Sequence, residues 1–285
     1  MNKATLRVVT GIAALVMTTG LAGTAQAAPL PATVQAASTR FDYPRDFDGD
    51  GNPDVLARDS SGTLWLYPGN GYGGFLARKR ISGGWSHMTA IITGYFTRSG
   101  HNDIVARGYD GNLWLYAGNG NGTFKPRVKI GSGWNTFTTI QNYIGTPTSS
   151  GILVRDKCGV LWNYLFNTAT RHFSPRRVAG GFGQYTKVLS VGDWSNDGNY
   201  GDVVAIDKSG KFWLYAHDPY GTFYPRRQIS PTGPSYTAVI SPVDWDGKDG
   251  EPDLMGRDSR GVLYVFSPTT APHRVSHGWN GFTLF

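Results

Sequence analysis

The chain has little of what most catalytic or membrane proteins need. It contains one cysteine, Cys158, so no internal disulfide can form. Charged residues make up only 16%, which argues against a coiled coil or a disordered polyelectrolyte. Only one long apolar run exists, roughly residues 8–21, shorter than the about 20 apolar residues that span a bilayer. No long basic run points to nucleic acid. The six histidines form no spaced metal motif, and there is no G-x-S-x-G elbow, no P-loop and no catalytic setting around Cys158. "GNGYGG" and "GNGNG" are rich in glycine, but each leads into a strand, whereas a phosphate cradle leads into a helix.

What remains is glycine, at 39 residues, and aromatics, at 13%. That mixture suits many short strands joined by tight turns. At the start, Lys3 and Arg7 precede the apolar run, and "GTAQA" follows it, with Ala25 and Ala27 in a small-x-small pattern. This reads as a secretory signal peptide over 1–27, cleaved after Ala27, then a flexible leader over 28–38. The expected protein is extracellular, soluble and monomeric. Its net charge falls from +7 to +5 once Lys3 and Arg7 are removed, an excess compatible with anionic cell-wall polymers.

Self-similarity organises the rest. "LARDSSGTLWLYPGNG", "VARGYDGNLWLYAGNG", "LVRDKCGVLWNYLFNT", "AIDKSGKFWLYAHDPY" and "GRDSRGVLYVFSPT" align on Trp65, Trp114, Trp162, Trp213 and Tyr264, spaced by 49, 48, 51 and 51 residues. A basic element ("FLARKRISGGW" in the first) and an apolar one ("HMTAIITG") follow each anchor. Four apolar runs in about 50 residues have the size of a propeller blade. The fold predicted is therefore an all-β, five-bladed β-propeller over 39–285, with an open solenoid as the alternative. The terminal "FTLF" matches the strand that elsewhere precedes an acidic loop, so it is expected to complete the first blade and close the ring. Cys158 replaces the serine of the first repeat and belongs in a hairpin turn.

The acidic loops carry the chemistry. In "DFDGDGNPD", Asp46, Asp48 and Asp50 occupy positions 1, 3 and 5, Gly51 permits a bend, Asn52 offers a carbonyl and Asp54 closes the loop. Hard oxygen donors around one point suit Ca²⁺, while Mg²⁺ prefers fewer protein ligands. The twelfth position is Ala57, where an EF-hand needs a bidentate Glu. A fifth-repeat version uses Asp244, Asp246, Asp249 and Asp253, and a fourth-repeat version uses Asp193, Ser195, Asp197 and Asp202. The second repeat keeps only Asp103 and the third keeps none, so two or three calcium sites are expected. The competing readings are solvated Asp/Gly turns and a catalytic acid pair.

"DFDGDGNPDVLARDSSGTLWLYPGNG" resembles the FG-GAP/VCBS repeats of integrin-like β-propellers, whose calcium loops have the form Asp-x-Asp-x-Asp-Gly-x-x-Asp. "ISGGWSHMTAI" and "IGSGWNTFTTI" are similar to tachylectin-2, a five-bladed lectin. Five repeats favour that architecture over the usual seven blades of the integrin type. The resemblance covers residues 42–285 and implies a structural Ca²⁺ role and binding of N-acetylglucosamine-type glycans such as chitin or peptidoglycan. Trp85, Trp134 and Trp279 sit at a glycine turn and are the candidate sugar-stacking residues, with packing between blades as their other role. A protein-interaction scaffold and a propeller-type hydrolase are the alternative functions; the expectation is a binder and no enzyme.

Overall fold

A computed structural model describes residues 45–97, 99–146, 149–167, 169–170, 172–229, 234–245 and 250–285. The chain divides into two units, Met1–Thr39 and Arg40–Phe285, and only the second contains described residues. The signal and leader segments, residues 39–44, and Asp246 and Asp249 lie outside the described residues.

The second unit is the expected five-bladed propeller. Each of its five sheets has four antiparallel strands. The second blade shows the order: inner strand Met88–Gly94, then Asp103–Gly108, Leu113–Tyr116 and outer strand Val128–Gly131. Thr283–Leu284 pairs with Val55–Arg58, through Ala57↔Leu284 and Arg58↔Thr283, and so closes the ring as its last four residues predict. The inner strands line a central channel of about 250 Å³.

Alternation in the middle strands feeds two seams at once. In the first blade, Leu56, Leu64 and Leu66 pack against Ile104 and Ala106 of the second. Val55 and Ala57 point the other way, against Met255, Leu263 and Val265 of the fifth. Every blade is thus buried on both faces, which is why its strands read as near-continuous apolar runs. The core is five clusters, one per seam.

Polar clamps fix the seams. Arg58 Nη1 donates to the carbonyls of Trp85 and Met88, at 2.8 and 2.6 Å. Arg107 and Arg155 repeat this one blade further on, and Arg257 does so to Trp279 and Phe282. The fourth blade has Ile206 at this place, so the seam between blades four and five lacks the clamp.

In three of the five hairpins a carboxylate ties the turn to the tryptophan anchor. Trp65, Trp162 and Trp213 donate from Nε1 to Asp59, Asp156 and Asp207 at 2.8, 2.9 and 2.9 Å. Cys158 lies in the turn of the third hairpin, exposed, with its N–H on Asp156. The Ser61 hydroxyl and the Trp65 indole hold Asp59 down at about 2, and Ser209 and Trp213 likewise lower Asp207. Folded pKa values below the unfolded ones place this stabilisation in full above about pH 4 and remove it as pH falls through about 2. Thermal melts are expected to show this loss between those values, with a shallower acid slope for Asp207→Asn.

Candidate metal loop and seam pocket

The first acidic loop is built by its own carboxylates. Asp46 accepts the N–H groups of Gly49 and Gly51, at 2.7 and 2.9 Å, and so folds the loop around itself. Asp50 accepts the Asn52 N–H at 2.8 Å. One oxygen from each of Asp46, Asp48 and Asp50 lies within 4.8 Å of the others. Among the described residues this is the one such set of three or more potential ligands. The Asp48 side chain is 5% exposed, and its Oδ2 takes the Lys79 ammonium at 2.8 Å. Its Oδ1 is buried and has no hydrogen-bond donor. A buried carboxylate oxygen without a donor is costly, and a cation among three carboxylates is the partner its chemistry fits.

Asp54 is not brought into this set. It is fully buried, and both its oxygens are used: Oδ2 accepts Phe47 N–H at 2.8 Å and Oδ1 accepts Gly69 N–H at 3.1 Å. It pins the loop to the end of its own hairpin. Burial pushes its carboxyl up to about 8 against the pull of the Phe47 N–H, and the Asp48 and Asp46 charges add to the rise. The same clamp recurs in three other blades, including the second, where no metal is expected. Asp103 accepts from Phe96, Thr97 and Gly118, at 2.9, 2.7 and 2.9 Å. Asp202 accepts from Ser195 and His217, both at 2.7 Å, and Asp253 from Trp245, also at 2.7 Å.

The fourth-blade loop has the same turn with fewer charges. Asp193 accepts the N–H groups of Asp197 and Gly198, and Asp197 accepts that of Asn199. In the fifth blade, Asp244 is buried at 8% exposure.

The three candidate tryptophans lie below the surface. Trp85, Trp134 and Trp279 are 3%, 6% and 3% exposed. A glycine at positive φ, as at Gly84 (85°) and Gly133 (78°), starts a single 3₁₀ turn that folds the indole back under the next blade. There Trp85 meets Tyr116 at 4.7 Å and Trp134 meets Tyr164 at 4.9 Å, while Trp279 meets Tyr67 at 4.4 Å.

A feature that the repeat alignment did not single out is a pocket of about 300 Å³ between blades four and five. Its walls are Trp194, Arg227, Ile229, Phe266 and the turn 267–272. In the first, second and fourth blades the connection before the outer strand runs eleven residues and carries Phe75, Phe124 or Phe223, each bridged back to the hairpin. Phe75 covers Trp245 of the preceding blade's acidic loop at 4.7 Å, and Phe124 lies over Phe47 at 6.1 Å. In the fifth blade the connection has six residues and no phenylalanine. The space beside Trp194 is left open in consequence. Hydroxyls border it in a fixed arrangement: Ser267 N–H donates to Thr270 Oγ1 at 3.0 Å, and Thr269 Oγ1 donates to Glu251 at 2.9 Å.

Comparison with known proteins fits this architecture at its first repeat. Residues 46–104 match the FG-GAP-like repeat family. That stretch holds the acidic loop, the first hairpin and the start of the second blade, where the motif resemblance is also strongest. No curated protein sequence matches the chain. Similar solved structures include an Agrocybe aegerita lectin described by its specific recognition of non-reducing terminal N-acetylglucosamine. It has a TM-score of 0.47 and 16% identity over 84% of this chain and 83% of that one. The BP39L lectin of Burkholderia pseudomallei has a TM-score of 0.47 and 19% identity over 79% and 70%. BBS1N in complex with ARL6DN has a TM-score of 0.44 and 11% identity over 85% and 88%.

Proposed function

We propose that this protein is an exported, calcium-stabilised propeller that binds carbohydrate and carries out no catalysis of its own. The observation that carries the binding role is the pocket between blades four and five. It joins the edges of two otherwise buried aromatic side chains, Trp194 and Phe266, each 3% exposed, to the exposed guanidinium of Arg227 and to hydroxyls held in place by their own turn. Sugar sites combine an apolar face with a few directional polar groups in this way. The N-acetylglucosamine class comes from the resemblance of the repeats to five-bladed lectins. Calcium is assigned to the first loop, held by Asp46, Asp48 and Asp50, and by the same motif to the fourth and fifth. Its role is structural: it neutralises crowded carboxylates and locks a loop between two strands.

Titration of chitotriose into the purified protein tests the pocket. Arg227→Ala and Thr270→Ala should each weaken binding about tenfold, the loss of one or two good polar contacts. Trp85→Phe, remote from the pocket, should leave it unchanged. Equal affinity in all four proteins would remove the pocket from the account.

A second reading rests on a different observation. Tyr72 and Tyr220 are 84% and 88% exposed at the tips of the long connections, and Tyr109 is 68% exposed. Exposed tyrosines favour a protein interface. A folded sample that ignores every glycan and retains a protein partner through these residues would establish the scaffold instead.

A further inference from the structure

The outer strands and the connections leading into them are charged with one sign only. Residues 75–82, 124–131, 172–179, 223–229 and 272–276 hold eleven of the 27 Lys and Arg residues and none of the 20 Asp and Glu residues. The remainder of the chain is therefore net acidic, and the positive charge is segregated. The propeller puts these segments in one place. Each ends in the last strand of its sheet, on the side away from the channel, so together they form the rim of the ring. All eleven cations are exposed.

Among the described residues only one of the eleven joins an ion pair, Lys79 with Asp48. Three are held flat on the blade surface. Arg78, Arg127 and Arg226 lie over Trp65, Trp114 and Trp213 at 4.0, 4.2 and 4.3 Å. A stacked guanidinium has lost part of its freedom before any ligand arrives, which lowers the entropy cost of capturing an anion. Arg80, Lys125 and Arg274 stand exposed beside them, and Lys129 and Arg177 are exposed but also act on the Asp110 and Asp156 carboxylates.

We infer that this rim is a docking surface for a flexible anionic polysaccharide. Charge complementarity selects a polyanion, and the shape selects a flexible one. Four basic clusters and the single Arg274, spaced around a convex edge, are reached together only by a chain that wraps; a rigid duplex touches one or two. On the neighbouring strands the faces of Trp65, Trp114 and Trp213 are covered by guanidinium groups, so these three do not offer the open platforms on which single-stranded bases stack. Protection of edge strands against aggregation accounts for a charge on each edge, but either sign would serve. The inference goes beyond the neutral-sugar pocket and does not depend on it.

The test uses labelled dextran sulfate, with neutral dextran and a DNA duplex as comparisons. The protein should bind dextran sulfate, lose about tenfold or more in affinity between about 50 and about 300 mM salt, and ignore neutral dextran. A rim variant, Arg80→Glu with Lys129→Glu and Arg274→Glu, should bind at least about tenfold more weakly. A control with the same net charge, Lys157→Glu with Lys208→Glu and Lys211→Glu in the hairpin turns, should change less than about threefold. Equal losses in the two variants would mean that net charge alone acts, and would overturn the docking surface. So would duplex DNA binding as tightly as dextran sulfate. A rim variant that binds normally but aggregates would reassign the belt to edge protection. Failure of chitotriose binding bears on the pocket only, since the two ligands are read separately.

Discussion

Asp48→Asn should remove one calcium ion from the protein without weakening the calcium-free fold. The substitution keeps the shape of the side chain and deletes a charge from a crowded set of three. Its ion pair with Lys79 involves an ammonium that is 57% exposed, and such pairs stabilise little. Without calcium, the variant should therefore melt at or above the parent temperature. With calcium the order reverses. Extracellular calcium modules bind at roughly 10⁻⁴–10⁻³ M, so about 10 mM calcium stabilises each occupied loop by roughly 1.4–2.7 kcal/mol. For a domain of this size that is roughly 3–10 °C in Tm. The variant should lose that share of the calcium response, and a calorimetric titration should count one site fewer. A parent protein that melts identically in calcium and in chelator would contradict the metal assignment.

Asp103→Ala should do the opposite. The second blade has no set of metal ligands among its described residues, yet Asp103 is fully buried and accepts three backbone N–H groups. Truncation leaves those donors in an apolar seam with nothing to meet, at about 1–3 kcal/mol for each buried group left unpaired. The expected loss is about 3–5 kcal/mol, or roughly 6–20 °C in Tm, the same with and without calcium. Chemical denaturation in both conditions measures it. A loss below about 1 kcal/mol would mean that water replaces the carboxylate. Taken as a pair, Asp48→Asn and Asp103→Ala separate two jobs that one loop motif combines.

Those two jobs look alike in sequence, and this is where reading residues falls short. The nine-residue motif places Asp54 with the other acids, but the folded loop turns Asp54 onto the Phe47 and Gly69 N–H groups and brings together one oxygen from each of Asp46, Asp48 and Asp50. A signal was present: Asp103 persists in a repeat that has lost its other acids, as a structural residue would. The fold was far more legible. Anchors spaced by 48 to 51 residues point to a repeated four-strand unit, and "FTLF", which matches the strand that elsewhere precedes an acidic loop, pairs with the first blade. The recurrent arginine of "LAR", "VAR", "LVR" and "MGR" stood in the same alignment, but its clamp joins residues 27 to 30 apart in the first three blades and 22 to 25 apart at Arg257. The glycine before Trp85 suggested a surface turn; its positive φ turns the indole inward instead. The seam pocket arises from an absence, the missing phenylalanine of the fifth repeat, which means nothing until Phe75 is seen covering Trp245.

The most direct test of the account is a crystal structure of the protein grown with calcium and soaked with chitotriose. An anomalous peak is expected among Asp46, Asp48 and Asp50 at about 2.3–2.6 Å from their oxygens. Sugar density is expected beside Trp194, hydrogen-bonded to Arg227 and to the hydroxyls of the turn 267–272. Water in the acidic loop and an empty seam pocket, in crystals that contain both ligands, would contradict it.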